Sequence, residues 1–211
     1  MGRGRHPAPR SQESFRRKPP RLSGDLILIV CEGAKTEPNY FNELKRRLKI
    51  HPLQVAVYGK ECGTDPLSVV EFARGKKKDF ARNGLRYDQV WCVVDKDTHA
   101  NLAEALNMAE ANTLGVCLSV PSFEFWYLLH FVYTTRPFEN ADSLIHELKQ
   151  HLKNGTYLKR TPPMDELMPH LETAVKNAQK VRNNHKITGQ DNPGTNVDRL
   201  IAELTIISNR D

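Results

Sequence analysis

The sequence predicts an α/β protein in which a mainly parallel, four-stranded sheet is flanked by helices and followed by a helical C-terminal region. Three observations carry this expectation. Short apolar runs at 26–31, 53–58, 89–94 and 115–118 alternate with longer amphipathic stretches. The runs are nearly continuous in Val, Ile, Leu and Cys, the pattern of strands covered on both faces. From about Pro121 onward the strand signal stops and the remaining periodicity is helical.

Taken in order, Leu26-Ile-Leu-Ile-Val-Cys31 reads as a buried strand. A helix follows over 36–49, with Pro38 in its first turn and Tyr40, Phe41, Leu44 and Leu48 on one face. The run at 53–58 is a second strand, after which Thr64 or Asp65 caps a helix that starts at Pro66 and buries Val69, Val70 and Ala73. The Val- and Trp-containing run at 89–94 is a third strand. Leu102, Ala105, Leu106 and Ala109 form a helical stripe, and 115–118 is a fourth strand. Strands and helices alternating in this way imply right-handed crossovers and parallel pairing. Beyond Pro121, residues 123–131 are apolar nearly all round and read as a buried helix. Further helices are expected at 141–152, 165–182 and 196–207, separated by turn-rich segments at 153–163 and 185–194. The expected organisation is a basic flexible tail at 1–21, an α/β core at 22–120 and a helical region at 121–211 packed on that core.

Composition narrows the class. A chain of 211 residues with 39% hydrophobic and 27% charged content can bury a core. No apolar run approaches the roughly 20 residues a bilayer span needs, so no membrane partner is expected and the cytoplasm is the expected location. Cys31, Cys62, Cys92 and Cys117 show no Cys-x-x-Cys spacing, and reduced, buried thiols are expected. The net charge of +6 is confined to the tail, where seven basic residues stand against the single acid Glu13 within 1–21. Such an arm either contacts phosphates or simply solubilises the chain.

Functional groups of parallel α/β sheets gather just beyond the carboxyl ends of the strands. The first strand ends in Glu32-Gly33, the third in Asp95-Lys96-Asp97, and the fourth runs into Ser119-Val-Pro-Ser-Phe-Glu124. Carboxylates delivered to one edge repel one another and raise their own pKa values unless a cation sits among them. Mg²⁺, a hard ion that takes carboxylates, water and phosphate oxygens, is the simplest occupant.

Bland readings stand beside each of these residues. Glu32 can complement a helix dipole, and Asp95 and Asp97 can form an Asx-type turn. Glu124, among Phe123, Phe125, Trp126, Leu128 and Leu129, either belongs to the site, binding a second metal or orienting a water, or forms a buried ion pair. Lys35 and Thr36 can meet a phosphate at a helix start, or Thr36 can cap that helix. His99 can bind substrate or merely begin an exposed helix. Trp91 and His130 read as core. Arg74, Lys76, Lys77, Lys78, Arg82 and Arg86 either track a nucleic-acid backbone or form a solvated face.

A Glu closing the first strand, with a later Asp-x-Asp closing another, resembles the Toprim fold of topoisomerases, primases and several nucleases. That resemblance implies that Asp95 and Asp97 hold Mg²⁺, with Mn²⁺ as a substitute, while Glu32 is a metal ligand or general acid/base. Three longer segments are similar to RloB-like proteins, which accompany bacterial restriction and phage-defence loci. They are Leu28-Ile-Val-Cys-Glu-Gly-Ala-Lys-Thr-Glu-Pro-Asn-Tyr-Phe41, Val90-Trp-Cys-Val-Val-Asp-Lys-Asp97 and Pro121-Ser-Phe-Glu-Phe-Trp-Tyr-Leu-Leu-His-Phe131. The leader and the late Asn192-Pro-Gly-Thr195 also fit.

The expected activity is therefore metal-dependent hydrolysis of a nucleic-acid phosphodiester, in DNA or in RNA including tRNA, in anti-phage defence. Glu32 and Glu124 are the candidate catalytic residues, Glu32, Asp95 and Asp97 the candidate metal ligands, and Lys35, Thr36 and His99 the candidate substrate contacts. A separate ATPase or restriction-system protein is the expected partner. Nucleotidyl transfer on the same fold, and a non-enzymatic binding or regulatory subunit, are the competing classes. Neither Gly-x-Gly-x-x-Gly nor Gly-x-x-x-x-Gly-Lys-Ser/Thr occurs, which disfavours a generic nucleotide-binding protein.

Overall fold

Strand β1, Ile27–Cys31, is apolar at each position and buried at each position. Successive side chains leave opposite faces of a strand. Ile27, Ile29 and Cys31 accordingly enter one hydrophobic cluster, and Leu28 and Val30 enter another. The computed structural model describes residues 25–96 and 101–210. The basic tail, Asp97 and His99 lie outside the described residues.

Strands β2 (Val55–Tyr58) and β3 (Gln89–Asp95) pair in parallel with opposite edges of β1, and β4 (Gly115–Val120) pairs in parallel with β3. The connecting helices are α1 (Thr36–Arg47), α2 (Pro66–Arg82) and α3 (Leu102–Ala111). Helix α1 covers one face of the sheet with Tyr40, Phe41 and Leu44. Val69, Val70 and Ala73 of α2, with Ala105 and Ala109 of α3, cover the other. The Asp65 side chain accepts a bond from the Ser68 backbone N–H at 3.1 Å, so Asp65 rather than Thr64 caps α2.

The sheet has five strands rather than four, in the order β2-β1-β3-β4-β5. The fifth, β5 (Gly194–Thr195), begins at the last residue of the segment expected to be turn-rich and pairs antiparallel with the end of β4, Val120 opposite Gly194 and Ser119 opposite Thr195. Two residues of Gly and Thr carry no periodicity, so only tertiary pairing makes them a strand. The resulting sheet is mixed but mostly parallel.

The C-terminal helices pack on the α1 face. Helix α4 is Glu124–Leu128, shorter than expected, because its ladder tightens to bonds from His130 N to Tyr127 O and from Phe131 N to Leu128 O. Helix α5 spans Ala141–His151. The single helix expected at 165–182 is divided into α6 (Met164–Leu167), a 3₁₀ turn (Met168–His170) and α7 (Leu171–Thr188). Pro169 lacks the N–H that would continue the ladder. Helix α8 is Val197–Ser208.

Polar ties lock these helices to the core. The indole N–H of Trp126 donates to Tyr40 Oη at 2.8 Å, and Asn177 Nδ2 donates to Leu129 O at 2.9 Å. Buried Asp198 is paired with Arg182, whose second nitrogen donates at 2.7 Å. His130 is a core residue: Nδ1 lies 2.9 Å from Trp126 O, and burial lowers its pKa to about 4. All four cysteines are free and buried. Trp91 is half-buried, with its ring against Gly115, and packs beside the core. Among the described residues no helix is long and apolar enough to cross a membrane.

Candidate functional site

The connections from β1 to β2 and from β2 to β3 carry the chain to opposite sides of β1. Strand order that reverses in this way opens a crevice between β1 and β3, at the carboxyl ends of the strands. Glu32 follows β1 directly, Asp95 is the last residue of β3, and Glu124 begins α4 after β4. All three line one cleft of ≈ 920 Å³. Of the residues singled out from sequence, Lys35 and Thr36 line it as well.

Backbone and side chain cooperate at the switch point. Glu32 N donates to Val93 O at 2.9 Å, which prolongs the β1–β3 ladder. The Glu32 carboxylate then accepts from the Asp95 backbone N–H at 3.1 Å. Asp95 is half-buried as a residue, but its Oδ1 is wholly buried and has no hydrogen-bond partner among the described residues. Lys96, next in the chain, points its amine to an ion pair with Asp191.

Glu124 is buried and doubly anchored. Ser122 Oγ donates to its Oε2 at 2.7 Å and Tyr157 Oη donates to its Oε1 at 2.8 Å. A buried ion pair, one of the sequence-based alternatives for Glu124, is absent among the described residues. Two hydroxyl donors hold it instead, and each carboxylate oxygen keeps a further lone pair.

A fourth acid, Glu37, joins this group without having been singled out from the sequence. It is 6% exposed in the first turn of α1, and its carboxylate lies against the Cα of Gly33, where an added Cβ would sit 2.1 Å from Oε2. Gly33 is thus the residue that lets the acid fold back to the strand end. An acid in a first helical turn ordinarily reads as a complement to the dipole. Its spacing of five from Glu32, across a strand-to-helix turn closed by Gly33, is the signal that marks it.

Electrostatics follow from this crowding. Burial pushes the Glu37 carboxyl up to about 7, a hydrogen bond from its own backbone opposes this, Glu124 and Glu32 add to it, and Lys159 lowers it slightly. Burial raises the Asp95 carboxyl well above the usual carboxylate range, with Glu37, Glu124 and Glu32 adding further. Lys35 is exposed at the cap position of α1 and makes no side-chain cap bond, while Thr36 is buried as the first helical residue.

A hard cation suits the donor chemistry: four oxygen-donor side chains line one cleft, and Asp95 Oδ1 is buried without a partner among the described residues. Among the described residues no group of three His, Cys, Asp or Glu side chains is arranged to hold a metal ion. Asp97, the third member of the expected ligand set, lies outside those residues, as does His99.

The fold and cleft define a mixed α/β protein with an acidic crevice at the switch point of its sheet. A family model described as RloB-like protein matches residues 27–204. The chain belongs to the RloB-like family. Comparison with curated proteins and with solved structures gave no match.

Proposed function

We propose that this protein is a Toprim-type, Mg²⁺-dependent nuclease that hydrolyses nucleic-acid phosphodiesters in anti-phage defence. The observation that carries the reading is that Glu32, Glu37, Asp95 and Glu124 line one cleft, with an oxygen of Asp95 buried and unpaired among the described residues. Burial and neighbouring carboxylates raise the Glu37 and Asp95 carboxyls, so their charged forms are stable together only with a cation between them. At neutral pH a divalent cation is the better counter-charge.

Asp95 and Glu32, with Asp97, are the groups that would hold the ion, and Glu37 stands beside them. Bound there, Mg²⁺ supplies charge stabilisation to a phosphoryl oxygen, the largest electrostatic need of phosphodiester hydrolysis. Glu124, fixed by Ser122 and Tyr157, is positioned to accept a hydrogen bond from an attacking water and take its proton. Lys35 and Thr36, at the start of α1, face the cleft where a phosphate meets backbone N–H groups and a helix dipole.

The test is cleavage of supercoiled DNA, single-stranded DNA, tRNA and mRNA with Mg²⁺, Mn²⁺ or EDTA, alongside Asp95→Ala and Glu32→Gln. Metal-dependent cleavage by wild type, lost in both variants, is the expected result. The competing reading is a nucleic-acid-binding or regulatory subunit. No cleavage and no Mg²⁺ binding by wild type would establish that reading instead.

A further inference from the structure

Six acids line the cleft, Glu32, Glu37, Asp95, Glu124, Glu139 and Asp191, and they repel the phosphate backbone that the proposed function requires, so some cation of the chain must meet it. Among the described residues three lysines line the cleft: Lys35, Lys96 and Lys159. Lys96 is committed to Asp191. Lys35 is exposed at the end of a turn. Lys159 differs from both in how its backbone is held.

It sits in the segment between α5 and α6, where neighbours on each side are anchored to the site. Tyr157, two residues earlier, donates its hydroxyl to buried Glu124 at 2.8 Å. Arg160, the next residue, accepts a bond at its carbonyl from Asn39 Nδ2 of α1 at 2.9 Å. Between these anchors Leu158 and Thr161 form a β-bridge, closed by Thr161 N to Leu158 O at 3.0 Å. The side chain of Lys159 is exposed and forms no ion pair with a described residue, yet its charge is felt at Glu37. A lysine whose backbone is pinned to two walls of an acidic cleft, while its amine has no ion-pair partner among the described residues, is placed to receive an anion.

We propose that Lys159 is a further phosphate-contacting residue of this cleft, meeting the backbone of a nucleic-acid strand beside the carboxylates; the assignment rests on the reading of the cleft as a nucleic-acid site. The lysine acts as a point charge, so it favours phosphate over base and contributes to affinity uniformly across sequences. Tyr157 is then a positioning residue, which couples the arm carrying Lys159 to Glu124.

The experiment measures binding rather than turnover. Fluorescein-labelled single-stranded RNA and DNA oligonucleotides are titrated with the full chain in EDTA and in Ca²⁺, over a series of salt concentrations. Variants are Lys159→Ala, Lys159→Arg and, as a charge-matched control on an exposed turn of α7, Lys186→Ala. Lys159→Ala is expected to bind about tenfold more weakly and to lose roughly 0.7 from the slope of log affinity against log salt, the value of one single-strand phosphate contact. Lys159→Arg should retain most of the affinity, and Lys186→Ala should match wild type. Equal behaviour of Lys159→Ala and Lys186→Ala, or no binding of either oligonucleotide by wild type, overturns the assignment. Mg²⁺ calorimetry on wild type and Asp95→Ala separates the two ideas. Mg²⁺ bound by wild type with no Lys159 effect refutes the contact alone. A selective Lys159 effect without Mg²⁺ binding refutes metal-dependent hydrolysis and leaves the contact standing.

Discussion

The Glu32 carboxylate accepts a hydrogen bond from the backbone N–H of Asp95 at 3.1 Å, so the acid that follows β1 clasps the end of β3. The bond spans the switch point of the sheet and joins two residues 63 positions apart. The Asp95 side chain lines the cleft, with Oδ1 buried and unpaired among the described residues.

Asp95→Asn is therefore expected to stabilise the metal-free protein. The amide keeps the shape of the side chain and removes a charge that burial, Glu37, Glu124 and Glu32 all disfavour. A gain of about 1 kcal/mol, or about 2–4 °C in Tm for a chain of this size, is expected in EDTA. The same variant should lose any rise in Tm that Mg²⁺ gives wild type. A lower melting point in EDTA, read by calorimetry, would contradict the electrostatic account.

Stability in EDTA should fall as pH rises through the range set by Glu37. Its carboxyl titrates near 4.5 when unfolded and is pushed up to about 7 when folded, mainly by burial. The folded state consequently holds the extra proton between those values. The contribution is fully present below about 4.5 and lost above about 7, up to ~3 kcal/mol in all. Thermal melts across this window should slope downward for wild type and flatten in Glu37→Gln. A wild-type curve without that slope would show that Glu37 titrates as an ordinary surface acid.

Tyr157→Phe deletes one of two hydroxyl donors to a buried carboxylate, the other being Ser122. A hydrogen bond to a charged group contributes about 1.5–3 kcal/mol. Chemical denaturation should show a loss in that range, with Ser122→Ala producing a similar one. Losses well below 0.5 kcal/mol for both, on the scale of a surface change, would mean that water replaces the donors freely.

Gly59→Ala should disturb the cleft from behind. A Cβ at Gly59 would lie 2.4 Å from Pro38 Cγ and 2.8 Å from the Gly33 carbonyl oxygen. Relief requires moving the start of α1 and, with it, Glu37. A destabilisation of about 1–3 kcal/mol is expected. Gly84→Ala serves as the comparison, because nothing lies within 4 Å of its added Cβ although its φ of +79° imposes strain of its own. Denaturation midpoints of the two variants decide whether crowding at Gly59 exceeds that backbone cost.

Much of this arrangement is legible in the residues themselves. The apolar runs mark β1 to β4 because strands covered on both faces need continuous hydrophobicity. The rule that function lies beyond the carboxyl ends of parallel strands then selects Glu32, Asp95 and Glu124, and the structure brings these three to one cleft. Periodicity reports what a segment buries, however, and not what it meets. Gly194 and Thr195 become a strand only because β4 offers a free edge. Pro169 divides a helix whose amphipathic pattern runs on through it.

The same division holds at the site. Sequence by itself determined the strand ends and the acids attached to them, since both are local properties of composition and spacing. Tertiary structure alone decided that Glu37 folds back over Gly33, that Ser122 and Tyr157 anchor Glu124, and that Lys159 reaches the acidic cleft from an arm 122 positions after Glu37. Contacts between residues so distant leave no local pattern, because the free energy that selects them comes from packing of the whole chain.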